Sequence, residues 1–320
     1  MRVLVLDGPA IRRACSMAEA IDACAAGFDA LSSHHADVPL RTAIPLASDG
    51  AQMLLMSASS DRFPLASAKV VSVAPGNRGV GLPIVQSTVM LVDATTGAPH
   101  AILDGACLTA LRTGAAGGLA ARLMAPKACE VVALYGAGVQ ARTQLEALLA
   151  ERSPSEIRVV ARSRSHVEPF LSSSVVPAGV RLVAGDRDAA NGAQVVICAT
   201  TSADPVFDAG DLGQDAHVTG VGSFRPETCE FPPEILDGAR VVVDQREAAL
   251  AESGEVITAV RRGWLNESDL IEIGESEARR IDGDHITVFK SVGNGIQDLA
   301  VGCRVVERAT ELGIGKWVEL

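Results

Sequence analysis

Short apolar runs punctuate the chain from Cys129 onward, and the stretches between them carry helical rather than alternating periodicity. VVALYG, IRVVA, VRLVA, QVVICAT, HVTGVG and RVVVD are nearly unbroken in their apolar character, which predicts parallel strands covered on both faces. Helices are expected from about Val139 and near Val167. That alternation predicts βαβ units and an α/β fold, a Rossmann-type doubly wound parallel sheet. The first third is patterned differently. Thr42 to Leu46 and Gln52 to Ser57 alternate around Asp49-Gly50, and Thr88 to Val92 and Pro99 to Leu103 flank Thr95-Thr96-Gly97, so both pairs predict hairpins. Ser16-Met-Ala-Glu19 fits a capping box ahead of an amphipathic helix through about Leu31. This portion is expected to be α+β. The small-residue helix around ALRTGAAGGLAARL should lead from one domain into the other. After Ile286, ITVFKSVGNGIQDLAVGCRVVERATELG predicts a strand, a glycine-rich turn and a long helix that returns the chain to its first domain.

Composition narrows the class. With 320 residues, 48% hydrophobic and 21% charged, the chain has apolar material for about two domains of ~100 to 200 residues each. The net charge of -11 argues against a nucleic-acid or anionic-membrane partner, because phosphate would be repelled overall. The apolar start Val3 to Leu6 is stopped by Asp7, too short for a signal-peptide core, and no run reaches the ~18 residues of a membrane span. The seven cysteines are scattered, without a C-x-x-C pair or a histidine cluster at zinc spacing. They are expected to be reduced, buried thiols of a cytoplasmic protein that holds no metal. Cys198 within VVICAT is expected in the core.

The candidate chemistry begins at Gly136-Ala-Gly138-Val139-Gln140-Ala141, which follows a predicted strand and opens a predicted helix. In that setting G-x-G-x-x-(G/A) has a mechanical reading: Gly136 permits the tight turn, Gly138 lets the backbone reach a pyrophosphate, and Ala141 keeps helix and strand close. The helix N-terminus offers free N–H groups and the positive end of its dipole. An ordinary glycine-rich βα turn is the alternative. At the end of the second strand an acid would bind the NAD ribose, whereas a base neutralises the NADP 2′-phosphate. The chain reads Val160-Ala161-Arg162-Ser163-Arg164-Ser165 there, which favours NADP(H) over NAD(H), a solvated basic turn in an NAD enzyme being the other reading.

LRTGAAGGLAARLMA, LYGAGVQARTQLEAL, AALAESGEV and ITVFKSVG together resemble the ornithine cyclodeaminase, mu-crystallin and archaeal alanine dehydrogenase family. The resemblance implies a homodimer with a substrate-binding and dimerisation domain, residues 1–112 completed by 295–320, and a Rossmann domain at 113–294. It implies that Arg41, Lys69 and Arg112 hold a substrate carboxylate. Such an arrangement suits an α-imino acid, whose planar anion an arginine can grip bidentately. Without the resemblance Arg41 and Lys69 would pass for surface charges, whereas Arg112 sits among small apolar residues where an unpaired charge is unfavourable. Thr200, Val221 and Ser291 fall where family members meet the cofactor, beyond the carboxyl ends of the strands. His217 is expected to be structural.

One segment departs from the pattern. Cyclodeaminases and the related alanine dehydrogenases carry an Asp after the strand that is HVTGVG here; this chain has Gly222-Ser223-Phe224-Arg225-Pro226-Glu227, with Phe224 in the place of the acid. The resemblance therefore implies a ketimine reductase that converts Δ1-pyrroline-2-carboxylate or Δ1-piperideine-2-carboxylate to proline or pipecolate. Lys69, or a bound water, is the candidate proton source. A neighbouring acid, Glu227 or Glu230, could swing into the vacancy. An alanine-type dehydrogenase, a cyclodeaminase and a non-catalytic NADPH-dependent small-ligand binder are the alternatives.

Overall fold

The computed structural model describes residues 2–48, 50–281 and 285–319. In chain order the elements are β1 (Arg2–Leu6), α1 (Gly8–Ala14), α2 (Met17–Ser32), β2 (Ala36–Asp37), β3 (Thr42–Pro45), β4 (Gln52–Ser60), β5 (Leu65–Val73), β6 (Val85–Asp93), β7 (Pro99–Asp104) and α3 (Gly105–Met124). They continue with β8 (Val131–Tyr135), α4 (Val139–Glu151), β9 (Glu156–Val160), α5 (Arg164–Ser173), β10 (Arg181–Ala184), β11 (Val195–Cys198), β12 (His217–Gly220) and β13 (Arg240–Val243). The last are α6 (Arg246–Glu252), α7 (Gly254–Arg262), β14 (Ile271–Glu272), β15 (Thr287–Lys290), α8 (Gly295–Glu311) and β16 (Lys316–Glu319). The chain divides into two compact units, one of Met1–Arg112 with Asn294–Leu320 and the other of Thr113–Gly293.

The first unit is built on a mixed sheet in the order β16-β1-β7-β6-β5-β4-β2, with β3 also pairing β4. Only β1 and β7 run parallel among its described pairs. Both expected hairpin pairings form, β3 with β4 and β6 with β7; Asp49, half of the turn expected in the first, lies outside the described residues. Alternation along the strands sends Leu54, Met56 and Ala58 of β4, Leu65 of β5, and Val89 and Leu91 of β6 to the buried face, where α8 packs. Leu55, Val70 and Met90 point the other way and remain 37%, 41% and 38% exposed. At the start of α2 the capping box forms, with Ser16 and Glu19 satisfying each other's backbone N–H groups. Several elements were not anticipated, β5 and β16 among them. β5 breaks the apolar alternation with Lys69 on its buried face, and β16 pairs antiparallel with β1 although Lys316–Glu319 lacks a distinctive pattern.

The second unit is a sheet in the order β10-β9-β8-β11-β12-β15-β13-β14, parallel at every described pairing. It is covered on both faces. Val132, Leu134, Val195 and Ile197 enter one apolar cluster, while their neighbours Ala133, Tyr135, Val196 and Cys198 enter the other. The order reverses between β8 and β11, which makes their carboxyl ends the topological switch point. His217 opens β12 fully buried, with Nδ1 against the Thr287 hydroxyl at 3.0 Å and Nε2 against that of Thr219 at 2.9 Å. Burial pulls its pKa down to about 3, so at neutral pH the ring is an uncharged structural bridge between β12 and β15. The cysteines are all free; Cys107, Cys229 and Cys303 are only half-buried, which corrects the expectation that every thiol is buried. Among the described residues no helix is long and apolar enough to cross a membrane.

Candidate functional site

In the Thr113–Gly293 unit the site begins where β8 turns into α4. Gly136 has φ 123°, and a Cβ there would lie 2.4 Å from the Ala199 carbonyl oxygen, so only glycine makes this turn. Gly138 is the N-cap of α4, and no side chain caps the helix. A Cβ on Gly138 would meet nothing within 4 Å, and Val139 beside it is 66% exposed. Gln140 is half-buried in the same first turn, where its carbonyl accepts from the Thr143 hydroxyl at 3.1 Å. The turn is therefore open on its outer side, with backbone donors that can take a pyrophosphate. Past the end of β9, Arg162 and Arg164 are exposed, and neither forms an ion pair among the described residues. Ser163 between them caps α5, accepting from Ser165 N at 3.2 Å.

The remaining residues of this unit lie beyond the strand ends. Thr200 follows β11, Val221 follows β12 and Ser291 follows β15. The hydroxyl of Ser291 is committed, donating to Asp244 at 2.7 Å. Phe224 is half-buried, with the Arg225 guanidinium 5.9 Å from its ring centroid. Neither neighbouring acid takes the place that the sequence resemblance gives to Asp in cyclodeaminases and alanine dehydrogenases. Glu227 is exposed, and Glu230, 0% exposed, accepts the backbone N–H groups of Thr200, Gly222 and Ser223 at 3.1, 2.6 and 3.2 Å.

In the other unit the structure brings Lys69 and Arg112 together on one carboxylate. Lys69 Nζ donates to Asp298 Oδ2 at 2.6 Å, and Arg112 Nε donates to Asp298 Oδ1 at 3.3 Å. Arg112 Nη1 also donates to Gln297 Oε1. The three charged side chains are 2%, 6% and 1% exposed, so each charge depends on the others for what water would otherwise supply. Burial and the Arg112 charge, opposed by Asp298, pull the Lys69 pKa down to about 8; the charge of half-buried Arg41 acts in the same direction as Arg112. Two cations share one anion here, and the cluster keeps an excess of positive charge that suits an anionic ligand. Gln297 Nε2 is a buried donor without a hydrogen-bond partner among the described residues. Such a donor is unfavourable unless something accepts from it.

Asp298 and Gln297 were not anticipated. The available signal was IQDLAV, two polar residues set in the buried stripe of α8, where Gly295 through Gly302 are all buried. Asp298 stands in the first turn of its helix, where the dipole favours an anion. Amphipathic periodicity identifies such a residue as an exception but does not identify its partner.

A doubly wound sheet with an uncapped glycine turn at its switch point is the architecture of a dinucleotide-binding domain. The chain belongs to the ornithine cyclodeaminase/mu-crystallin family, whose pattern it matches over residues 3–313. It is similar to a Δ1-pyrroline-2-carboxylate reductase of Bacillus cereus, with 32% identity over 99% of this chain and 100% of the relative. Among solved structures it is similar to Thermococcus litoralis Δ1-pyrroline-2-carboxylate reductase in complex with NADH and L-proline, with 32% identity, a TM-score of 0.91, and 98% and 99% of the two chains covered. An archaeal alanine dehydrogenase dimer with bound NAD superposes with a TM-score of 0.91 at 31% identity over 100% of both chains.

Proposed function

We propose that this protein reduces a cyclic α-imino acid, Δ1-pyrroline-2-carboxylate or Δ1-piperideine-2-carboxylate, to L-proline or L-pipecolate, with NADPH preferred over NADH. The observation that carries the reading is the loop after β12. There Phe224 stands where the resemblance places an Asp in cyclodeaminases and alanine dehydrogenases, and Glu230, the buried carboxylate that follows it in the chain, is held by three backbone amides. A cyclodeaminase must accommodate a second ammonium and move protons around it; a neutral aromatic offers neither a counter-ion nor a base. It does offer an apolar wall for the methylenes of a five- or six-membered ring.

The Thr113–Gly293 unit fits a nicotinamide dinucleotide. Gly138 is spared a Cβ that the protein itself would have room for, so its bareness serves a ligand's approach. Gly136, Gly138, Val139 and Gln140 would hold the pyrophosphate, and Arg162, Ser163 and Arg164 the 2′-phosphate. Thr200, Val221 and Ser291 would border the nicotinamide. The bound cofactor supplies the hydride that C2 of the ring imine receives. In the other unit Arg112, Lys69 and Arg41 bind the substrate carboxylate, with Gln297 Nε2 as a further donor, and fixing that group orients C2. Lys69, with a pKa of about 8, is an ammonium at neutral pH and serves as charge partner and candidate proton donor at the ring nitrogen.

The outward face of the first unit's sheet, with Leu55, Val70 and Met90 exposed, suits a homodimer. Free thiols fit a cytoplasmic location. The deciding assay supplies Δ1-pyrroline-2-carboxylate with NADPH, and separately ornithine with catalytic NAD+ or NADP+. The expected outcome is rapid NADPH oxidation with the imine and no ammonia from ornithine. Ammonia and proline from ornithine would overturn the choice of reaction, and faster turnover of alanine than of proline in the oxidative direction would favour a dehydrogenase of open-chain amino acids.

A further inference from the structure

Three buried ionisable side chains in the Thr113–Gly293 unit take no part in the chemistry above. Glu230, Glu255 and Lys290 are each 0% exposed. Lys290 ends β15, Glu255 stands in the first turn of α7, and Glu230 lies between β12 and β13. Glu255 and Lys290 come from AALAESGEV and ITVFKSVG, motifs that the proposed substrate and phosphate contacts leave unused.

The two oxygens of Glu230 face different loops. Oε2 accepts from Thr200 N at 3.1 Å and from the Thr200 hydroxyl at 3.3 Å, in the loop that follows β11. Oε1 accepts from Gly222 N at 2.6 Å and Ser223 N at 3.2 Å, in the loop that follows β12. Lys290 Nζ donates to the Ser223 carbonyl at 2.9 Å, reaches Glu255 at 3.2 Å, and lies 3.8 Å from Glu230 Oε1. Glu255 closes the ring by accepting Glu230 N at 2.9 Å, while its other oxygen takes the Ser253 hydroxyl at 2.9 Å. The two loops approach so closely that a Cβ on Gly222 would stand 2.0 Å from the Thr200 carbonyl oxygen and 2.5 Å from Glu230 Oε2.

The sheet does not need this arrangement for its own cohesion, because β11 and β12 are already joined by their ladder from Val195 opposite His217 to Cys198 opposite Gly220. Burying three charges is unfavourable unless every one is satisfied. What the cluster adds lies beyond the ladder, at the strand ends where ligands of such sheets bind. We infer that Glu230, braced by Lys290 and Glu255, is a positioning residue that staples the loop carrying Thr200 to the loop carrying Val221 and Phe224. It thereby sets the backbone against which the nicotinamide half of the cofactor is placed. The inference rests on the reading of Thr200 and Val221 as nicotinamide contacts.

Glu230→Gln keeps the shape but turns an amide NH2 toward one of the two pairs of donors, which releases one loop. In the full-length protein, kcat for imine reduction should fall about tenfold or more, and the isotope effect with NADPH deuterated at the transferred C4 position should rise. Binding of 2′-phospho-ADP-ribose, which lacks the nicotinamide, should stay within about twofold of wild type. Equal losses for the fragment and for NADPH, or an unchanged kcat and isotope effect, would overturn the inference. Amide exchange in the wild-type protein tests it without a variant: Thr200, Gly222 and Ser223 should exchange about a hundredfold more slowly than exposed Arg225 and Glu227. Equal rates would overturn it. If the wild type turns over no imine, the proposed reaction fails, while amide exchange and the comparison of fragment with NADPH binding still decide the staple.

Discussion

Lys69 shows how one residue can be singled out from the sequence and its setting missed. Its type and place in PLASAKVV, together with the family resemblance, point to a substrate contact, but nothing local shows that it is 2% exposed and paired with an aspartate 229 positions away. That pairing makes a testable claim about pH. Lys69 has a pKa of about 8 and, in its proposed role, binds the substrate carboxylate as the ammonium, so kcat/KM for the imine should fall as the pH rises through that value. Asp298 favours the ammonium, so Asp298→Asn should weaken the proton's hold and move the alkaline limb to lower pH, by about half a unit or more. A limb that stays in place or moves upward would show that Asp298 does not govern this proton. Arg112→Ala is a poor substitute for this test, because it removes a proposed substrate contact together with one of the two cations on Asp298.

In the proposed reading, the corner between β9 and α5 is where a short element sets cofactor choice. No carboxylate occurs from Val160 to Val167, and Arg162 and Arg164 lie exposed on either side of the α5 cap. A charge-assisted contact to a phosphate contributes about 1.5 to 3 kcal/mol, so replacing both arginines with alanine should raise the NADPH KM about tenfold or more. The NADH KM should change little. Steady-state kinetics with each cofactor measures the difference; an equal rise for both, or a wild-type preference for NADH, would remove these arginines from phosphate recognition. The local structure of this corner was readable in advance because strand end, cap and basic pair are contiguous. β5 was not, because its lysine sits on the face where alternation calls for an apolar residue.

At the scale of the molecule, the first unit's sheet has one face under α8 and another that carries exposed Leu55, Val70 and Met90. If two copies meet through that second face, Val70→Asp should place an unpaired charge in the contact and shift the protein toward the monomer, read as a halved mass in light scattering. A mass unchanged at low micromolar concentration, with the wild type dimeric, would place the contact elsewhere. Val70 neighbours Lys69 in β5 but points to the opposite face, so the substitution leaves the Lys69–Asp298 pair in place.

Contiguous patterns determined much of this protein. The unbroken apolar runs specified buried parallel strands because both faces of that sheet are covered, Gly136-Ala-Gly138 specified a tight strand-to-helix turn because its geometry is local, and Ser16 with Glu19 specified a helix start for the same reason. Tertiary structure decided the rest. Periodicity tells a residue which face it occupies but not what lies across from it. Only the folded chain inserts β15 between β12 and β13, brings α8 back so that Asp298 meets Lys69 and Arg112, and gathers Glu230, Glu255 and Lys290 under two loops. Each of these is a charge or a strand whose partner is distant in sequence. Its stability comes from satisfying a buried polar group, a condition that can be met only after the chain has closed around it.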